Sequence, residues 1–142
     1  MISTILVTDD NVLDNAILRN YLYKERLNII SALNGREALD MVESRNVDII
    51  ILDLVMPVMD GYEFLEEFSK TPYYKEIPII VASGIENDAL VKVFEYDIYD
   101  FVLKPLNQTN KYVMINKIRK ALQFRKMLVE LKKQEIDVNT IK

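Results

Sequence analysis

Cysteine and histidine are both absent from this chain of 142 residues. Without cysteine there can be no disulfide and no thiolate metal site. Without histidine there is no histidine-based hydrolase, no histidine metal site and no phosphate carried on the chain's own imidazole. No apolar run approaches the roughly 20 residues needed to cross a bilayer. The N-terminus has neither a basic opening nor a long apolar stretch behind it, so it does not read as a signal peptide. The expected location is the cytoplasm.

What remains is a chain long enough for one domain with a proper core. Half its residues are hydrophobic and 28% are charged, the composition of a folded domain rather than a disordered one. The charge is unevenly spread. Residues 1–106 hold 9 Lys/Arg against 19 Asp/Glu, a balance of −10, whereas residues 107–142 hold 9 against 3, a balance of +6. An acidic body followed by a basic segment suggests two roles, although a solvated basic helix face gives the same count.

Five short apolar runs alternate with helical patterns. The strands are expected at Ile5–Thr8, Asn28–Leu33, Val47–Leu52, Ile79–Ser83 and Asp100–Leu103. The first helix follows Asn11 as its cap, with Leu13, Ala16, Ile17, Tyr21 and Leu22 on one face. Asn34-Gly-Arg-Glu37 and Asp60-Gly-Tyr-Glu63 read as capped helix starts, the second burying Phe64, Leu65 and Phe68. A fourth helix is expected from about Asn87 to Tyr96, presenting Leu90, Val93 and Phe94. This alternation means βαβ units and a doubly wound parallel sheet. The last helix is expected from about Gln108 to Glu135, about twice the length that covering such a sheet requires. Ala121, Phe124, Leu128 and Leu131 follow a 3-4-3 spacing, the start of an apolar seam. The extension reads either as a helix that frays into a linker or as a dimer or output connection.

The chemistry centres on Val47-Asp-Ile-Ile-Ile-Leu-Asp-Leu-Val-Met-Pro-Val-Met-Asp-Gly61. A run this apolar is a strand covered on both faces. Asp53 follows directly where the strand leaves the core, and Pro57 and Gly61 punctuate the loop after it. Asp9 and Asp10 end the first strand, Ser83 the fourth and Lys104 the fifth. Singly, each has an ordinary explanation as a cap or turn residue. In an open parallel sheet, however, ligands bind outside the carboxyl ends of the strands, and all five residues fall there. Three carboxylates brought together repel one another, and an incomplete set of hard oxygen ligands suits Mg²⁺. An acid nucleophile, a divalent cation, a lysine and a hydroxyl make a phosphoryl-transfer site whose product is an aspartyl phosphate.

The sequence resembles the receiver domain of two-component response regulators, of the chemotaxis-regulator type. The resemblance covers residues 2 to about 122. It rests on Ile5-Leu-Val-Thr-Asp-Asp-Asn11, Leu52-Asp-Leu-Val-Met-Pro-Val-Met-Asp-Gly61, Pro78-Ile-Ile-Val-Ala-Ser83 and Phe101-Val-Leu-Lys-Pro105. It implies an α/β, flavodoxin-like sheet of strand order 2-1-3-4-5, with residues 1–122 as the receiver and 123–142 as a helical extension or linker. It implies Asp53 as the phosphoacceptor, with Asp9, Asp10, Asp53 and the backbone carbonyl of Val55 holding Mg²⁺. Ser83 and Lys104 would contact the phosphoryl group, Ser83 and Phe101 would form the switch pair, and Gly84 would leave phosphate access. The partner implied is a histidine kinase or histidine phosphotransfer protein, docking near Leu13, Ala16 and Ile17 beside Pro105. The result is a phosphorylation-dependent signalling switch rather than an enzyme.

The chain departs from the family in places. The segment Tyr96-Asp-Ile-Tyr-Asp100 replaces a small pair, often Gly-Ala, and Phe101 lacks the hydroxyl of the commoner tyrosine. Val55 and Ile85 flank the site with apolar groups, from which a long-lived phosphate is expected. An aspartyl-nucleophile phosphatase usually carries a second acid two residues after the nucleophile, where this chain has Val55. A degenerate receiver is disfavoured by the intact acidic cluster. A homodimer through the C-terminal helix is one of the readings the extension allows, and DNA binding through this chain is not expected, because no recognition-helix motif is apparent.

Overall fold

The apolar runs lie side by side in one sheet, the central β3 and β4 buried throughout and the edge strands β2 and β5 only in part. The computed structural model describes residues 2–84 and 88–141. The strands are β1 (Thr4–Thr8), β2 (Asn28–Ala32), β3 (Ile49–Leu52), β4 (Ile79–Ser83) and β5 (Asp100–Leu103). The helices are α1 (Val12–Leu22), α2 (Gly35–Ser44), α3 (Gly61–Ser69), α4 (Asp88–Val91) and α5 (Gln108–Ile141). Every strand pair is parallel, and the order is β2-β1-β3-β4-β5.

Side chains alternate across the pleat and divide the core in two. Leu6, Ile50, Leu52, Ile79 and Val81 pack with Ala38 and Val42 of α2 and with Phe64, Leu65 and Phe68 of α3. Ile5, Val7, Ile49, Ile51 and Ile80 pack with Leu18, Tyr21 and Leu22 of α1 and with Met114, Ile115 and Ile118 of α5. Each large side chain so buried contributes about 1.5–3 kcal/mol. The register brings the strand ends to one side of the sheet: Thr8 pairs with Leu52 and Leu52 with Val81, and β4 and β5 run on two residues further to Ser83 and Leu103. The residues that follow them therefore share one edge.

Local details differ from the sequence reading. β3 begins at Ile49 rather than Val47, because the Asp48 carboxylate accepts the Thr4 N–H at 2.8 Å and closes off the strand. On α1, Leu13 and Ala16 are exposed and Leu18 is buried. The first turn of that helix overhangs the sheet edge and has no core beneath it. Asp60 and Glu63 form the reciprocal capping box expected of α3. Asn34 caps α2, but the Glu37 carboxylate accepts from Leu33, one residue before the cap. Among the described residues the fourth helix covers Asp88–Val91 and gives way to a 3-10 turn, Lys92–Glu95; Asn87, the expected start, lies outside the described residues. At three residues per turn Leu90 and Val93 line up on one side. Val93 is accordingly buried and Phe94 exposed.

α5 runs past the expected Glu135 to Ile141. Its 34 residues span about 50 Å, several times the length of the strands it covers. Beyond Leu122 it stays in contact with the body. Phe124 packs on Tyr99 with ring centroids 5.3 Å apart. The Arg125 guanidinium donates to the Glu76 carbonyl at 2.7 Å, and its Nε lies 3.5 Å from the Asp48 carboxylate. Lys132 pairs with the Glu76 carboxylate. Leu131 of the expected seam is exposed, as is Met127 one turn before it.

Candidate functional site

The carboxyl edge of the sheet gathers the polar residues that the strands cannot bury. Asp9 follows β1 and Asp53 follows β3, and these strands are neighbours. The Asp53 N–H donates to the Thr8 carbonyl at 2.9 Å, while the Asp9 N–H donates across to Ala32 at 3.0 Å. Strand pairing thus continues to Asp53 on one side of β1 and to Asp9 on the other, which sets the two acids at the same edge. Carboxylate oxygens of Asp9, Asp10 and Asp53 all lie within 4.8 Å of one another. Asp9 and Asp53 are buried and Asp10 is exposed.

Lys104 reaches into this cluster from the end of β5. Its ammonium is 2.6 Å from Asp9 Oδ2, 2.8 Å from Asp14 Oδ2 and 3.7 Å from Asp53 Oδ2. Burial pulls the lysine pKa down, but the hydrogen bonds to Asp14 and Asp9 and the charges of Asp53 and Asp9 more than offset it, so the group stays cationic. Burial pushes the Asp53 carboxyl up to about 6, and the charge of Asp9 adds to this. Lys104 and the backbone N–H groups of Leu54 and Val55 act in the opposite direction. The Leu54 N–H donates to Asp53 Oδ1 at 2.8 Å. That bond holds one oxygen, and Oδ2 is the one turned toward Lys104.

Gly61 supports the acid from behind. A Cβ there would lie 2.5 Å from the Asp53 carbonyl oxygen and 2.7 Å from Leu54 Cα, so only glycine allows α3 to start this close. Val58 takes a positive φ of 66° as the loop returns to α3. Val55 is exposed beside the site. A Cβ at Gly84 would meet only Lys104 Cβ at 3.9 Å, so that position is open.

Ser83 ends β4 almost fully buried, and among the described residues its hydroxyl has no hydrogen-bond partner. A buried hydroxyl left unpaired costs free energy, and Ser83 Oγ has its hydrogen-bonding capacity unused at this edge. Phe101 pairs in register with Val81, two residues before Ser83, and so faces the same side of the sheet. It is half-buried, with its ring 6.5 Å from that of Phe94.

The structure therefore brings together Asp9, Asp10, Asp53 and Lys104, with Ser83 at the same edge. Ile85 lies outside the described residues. Asp14 was not foreseen. It stands one turn into α1, where the sequence shows only an acid in a helix's first turn, favourable there for its dipole alone. Its side chain turns to Lys104 because α1 overhangs the edge. The signal in the sequence is its position four residues beyond Asp10. Donor chemistry fits a hard divalent cation: three carboxylates of which one is exposed, and a loop backbone beside them.

A family model described as the response regulator receiver domain matches residues 5–116. A probable transcriptional regulator, ycf29, of Porphyra purpurea is 36% identical over 136 residues, covering 93% of this chain and 62% of that protein. The two-component response regulator ORR5 of Oryza sativa subsp. japonica is 31% identical over 108 residues, 75% of this chain and 81% of that protein. The chain spans 62% and 51% of the lengths of the ycf29 proteins of Porphyra purpurea and Pyropia yezoensis. Among solved structures, the receiver domain of a signal transduction histidine kinase from Syntrophus aciditrophicus aligns with a TM-score of 0.76 at 26% identity, over 85% of this chain and 90% of that one. The receiver domain of a putative Luxo repressor protein from Vibrio parahaemolyticus aligns at 0.81 and 22%, over 92% and 98%, and speaks for the fold alone.

Proposed function

The chain belongs to the response regulator receiver domain family, the phosphorylation-dependent signalling module of two-component systems, and on that premise we propose that Asp53 is its phosphoacceptor. One observation carries the reading: the Asp9, Asp10 and Asp53 carboxylates converge within 4.8 Å beside the Lys104 ammonium. Asp53 Oδ2 attacks phosphorus of a phosphohistidine on a partner protein, a histidine kinase or a histidine phosphotransfer protein. The new P–O bond forms as the P–N bond breaks, and the departing imidazole nitrogen keeps the electron pair. Lys104 neutralises charge on the phosphoryl oxygens and the Ser83 hydroxyl donates to one of them. Asp9, Asp10, Asp53 and the Val55 carbonyl would hold Mg²⁺, which when bound supplies positive charge for the transferring group. The donor docks on the exposed Val12 and Leu13 of α1 and the exposed Pro105.

Phosphorylation adds about two negative charges. It shifts the domain only as far as two states differ in their contacts with the phosphoryl group. Ser83 and Phe101 are the pair through which they differ, and the face of α4, β5 and α5 carries the change into the helical extension. Exposed Val55 disfavours an ordered attacking water, so the phosphate is long-lived; an autodephosphorylation half-life of seconds would refute that part. Self-association through α5 and a cytoplasmic setting belong to the same reading. Among the described residues no helix is long and apolar enough to cross a membrane.

The test is intact mass after incubation with Mg²⁺ and acetyl phosphate. Wild type gains one phosphoryl group and Asp53→Ala gains none. A gain by the variant, or no gain by wild type from acetyl phosphate or a phosphohistidine donor, overturns the assignment.

A further inference from the structure

We propose that Asp14 is a positioning residue for Lys104, trading a slower phosphoryl transfer for a stronger hold on the divalent cation. The inference rests on the reading of Asp53 as acceptor and of Asp9, Asp10 and Asp53 as the cation's ligands. It adds a fourth carboxylate with a different task.

The geometry separates that task from the others. Asp9, Asp10 and Asp53 form one cluster, and Asp14 is not part of it. Asp14 nevertheless takes the Lys104 ammonium at 2.8 Å, nearly a full ångström closer than Asp53 does at 3.7 Å. The Asp14 N–H donates to the Asn11 side chain at 2.9 Å, which fixes the turn that carries the carboxylate. Asn15 on the same turn donates to the Asp9 carbonyl at 2.8 Å, tying that turn to the end of β1. Both Lys104 and Asp14 are mostly shielded, with 13% and 23% of their side chains exposed, so their charge-assisted bond is little screened.

Two consequences follow, and they have opposite signs. A lysine with only Asp9 and Asp53 to pair with competes with a cation for those same oxygens. Asp14 offers the ammonium a carboxylate outside the cluster, so Asp53, 3.7 Å from it, is freer to ligate the cation, while Asp9 keeps its own bond to the lysine at 2.6 Å. Yet Lys104 must leave Asp14, at least in part, to reach a phosphoryl group on Asp53. The same bond that favours cation binding therefore holds back the lysine when phosphorus transfers.

The experiment uses the full chain as wild type, Asp14→Asn, Asp14→Glu, Lys104→Met and the Asp14→Asn/Lys104→Met double variant. Calorimetric titration with Mg²⁺ gives the cation affinity. Intact mass against time with phosphoramidate at saturating Mg²⁺ gives the transfer rate. Asp14→Asn is expected to weaken Mg²⁺ about threefold to tenfold and to raise the saturated rate by a similar factor, the scale of one charge-assisted bond. Asp14→Glu recovers both toward wild type. In the Lys104→Met background the Asp14→Asn change loses most of its effect on Mg²⁺ affinity. A merely structural role predicts that affinity and rate fall together; that outcome, no change in either, or an undiminished effect without Lys104 overturns the proposal. If wild type itself binds no Mg²⁺ and takes no phosphate, the proposed function fails and this inference fails with it.

Discussion

Asp53 illustrates what one buried side chain costs its own fold. Its carboxyl is pushed up to about 6, against an ordinary 3.8, by burial first and by Asp9 second. A pKa raised on folding contributes stability that is complete below the unfolded value and is lost as pH rises through the folded one. In metal-free protein that window runs from about pH 4 to 6. Above it the ionised acid destabilises the fold by up to about 3 kcal/mol. Asp53→Asn, in chelator at pH 7.5, should therefore raise the urea midpoint, and the gain should shrink toward zero as pH falls to 4. A gain that does not change with pH would locate its cause elsewhere. Gly61 carries the opposite expectation. A methyl 2.5 Å from the Asp53 carbonyl oxygen forces α3 or the acid to move. Gly61→Ala should cost about 1–3 kcal/mol by denaturant unfolding and slow phosphorylation as well. An unshifted unfolding midpoint would mean the loop yields freely.

Elements were legible in the sequence to the degree that their signals are local. Each strand is four or five residues long and mostly apolar, and the acids, serine and lysine at their ends were placed by that alone. The helix caps Asn11, Asn34 and Asp60 likewise act within three residues. What escaped depended on where elements lie in space. Asp14 joins the site, and Leu13 and Ala16 leave the core, for one shared reason: α1 has no buried side chain before Leu18, so its start overhangs the sheet edge. The 3-10 turn Lys92–Glu95 after α4 was hidden because periodicity does not separate three from 3.6 residues per turn over so few residues. The contacts of α5 beyond Leu122 were hidden because their partners, Asp48, Glu76 and Tyr99, stand in loops at the opposite edge of the sheet. Those contacts make a prediction about the element. A chain ending at 122 loses the Phe124–Tyr99 and Arg125–Glu76 contacts and should unfold about 1–3 kcal/mol more easily in urea, whereas one ending at 135 should match the full chain. Equal stability of all three would mean that the extension merely rests on the body.

At the scale of the whole molecule the charge division gains a physical meaning. α5 spends several cations within its own chain: Lys117 on Asp100, Arg119 on Glu25, Arg125 beside Asp48 and Lys132 on Glu76. Among the described residues Lys120, Lys126 and Lys133 are exposed and enter no salt bridge, and Lys120 shares one helix face with the exposed apolar Met127 and Leu131, while Lys126 and Lys133 lie about a third of a turn round the helix. This leaves a helix face that is both basic and partly apolar on a molecule whose other 106 residues carry a balance of −10. A second copy offers both an apolar stripe for Met127 and Leu131 and an acidic body for the lysines. Electrostatics between such surfaces weaken with salt, because the Debye length falls from about 10 Å at 0.1 M to about 3 Å at 1 M. A phosphoryl group on Asp53 acts at a distance from this face, and reaches it only by changing how β5 and α5 are held. The phosphorylated protein is therefore expected to sediment as a larger species than the unphosphorylated one at 0.1 M salt. Leu131→Asp should abolish the difference, and 1 M salt should reduce it. Identical sedimentation with and without phosphate would mean that the extension serves an output other than pairing with its own kind.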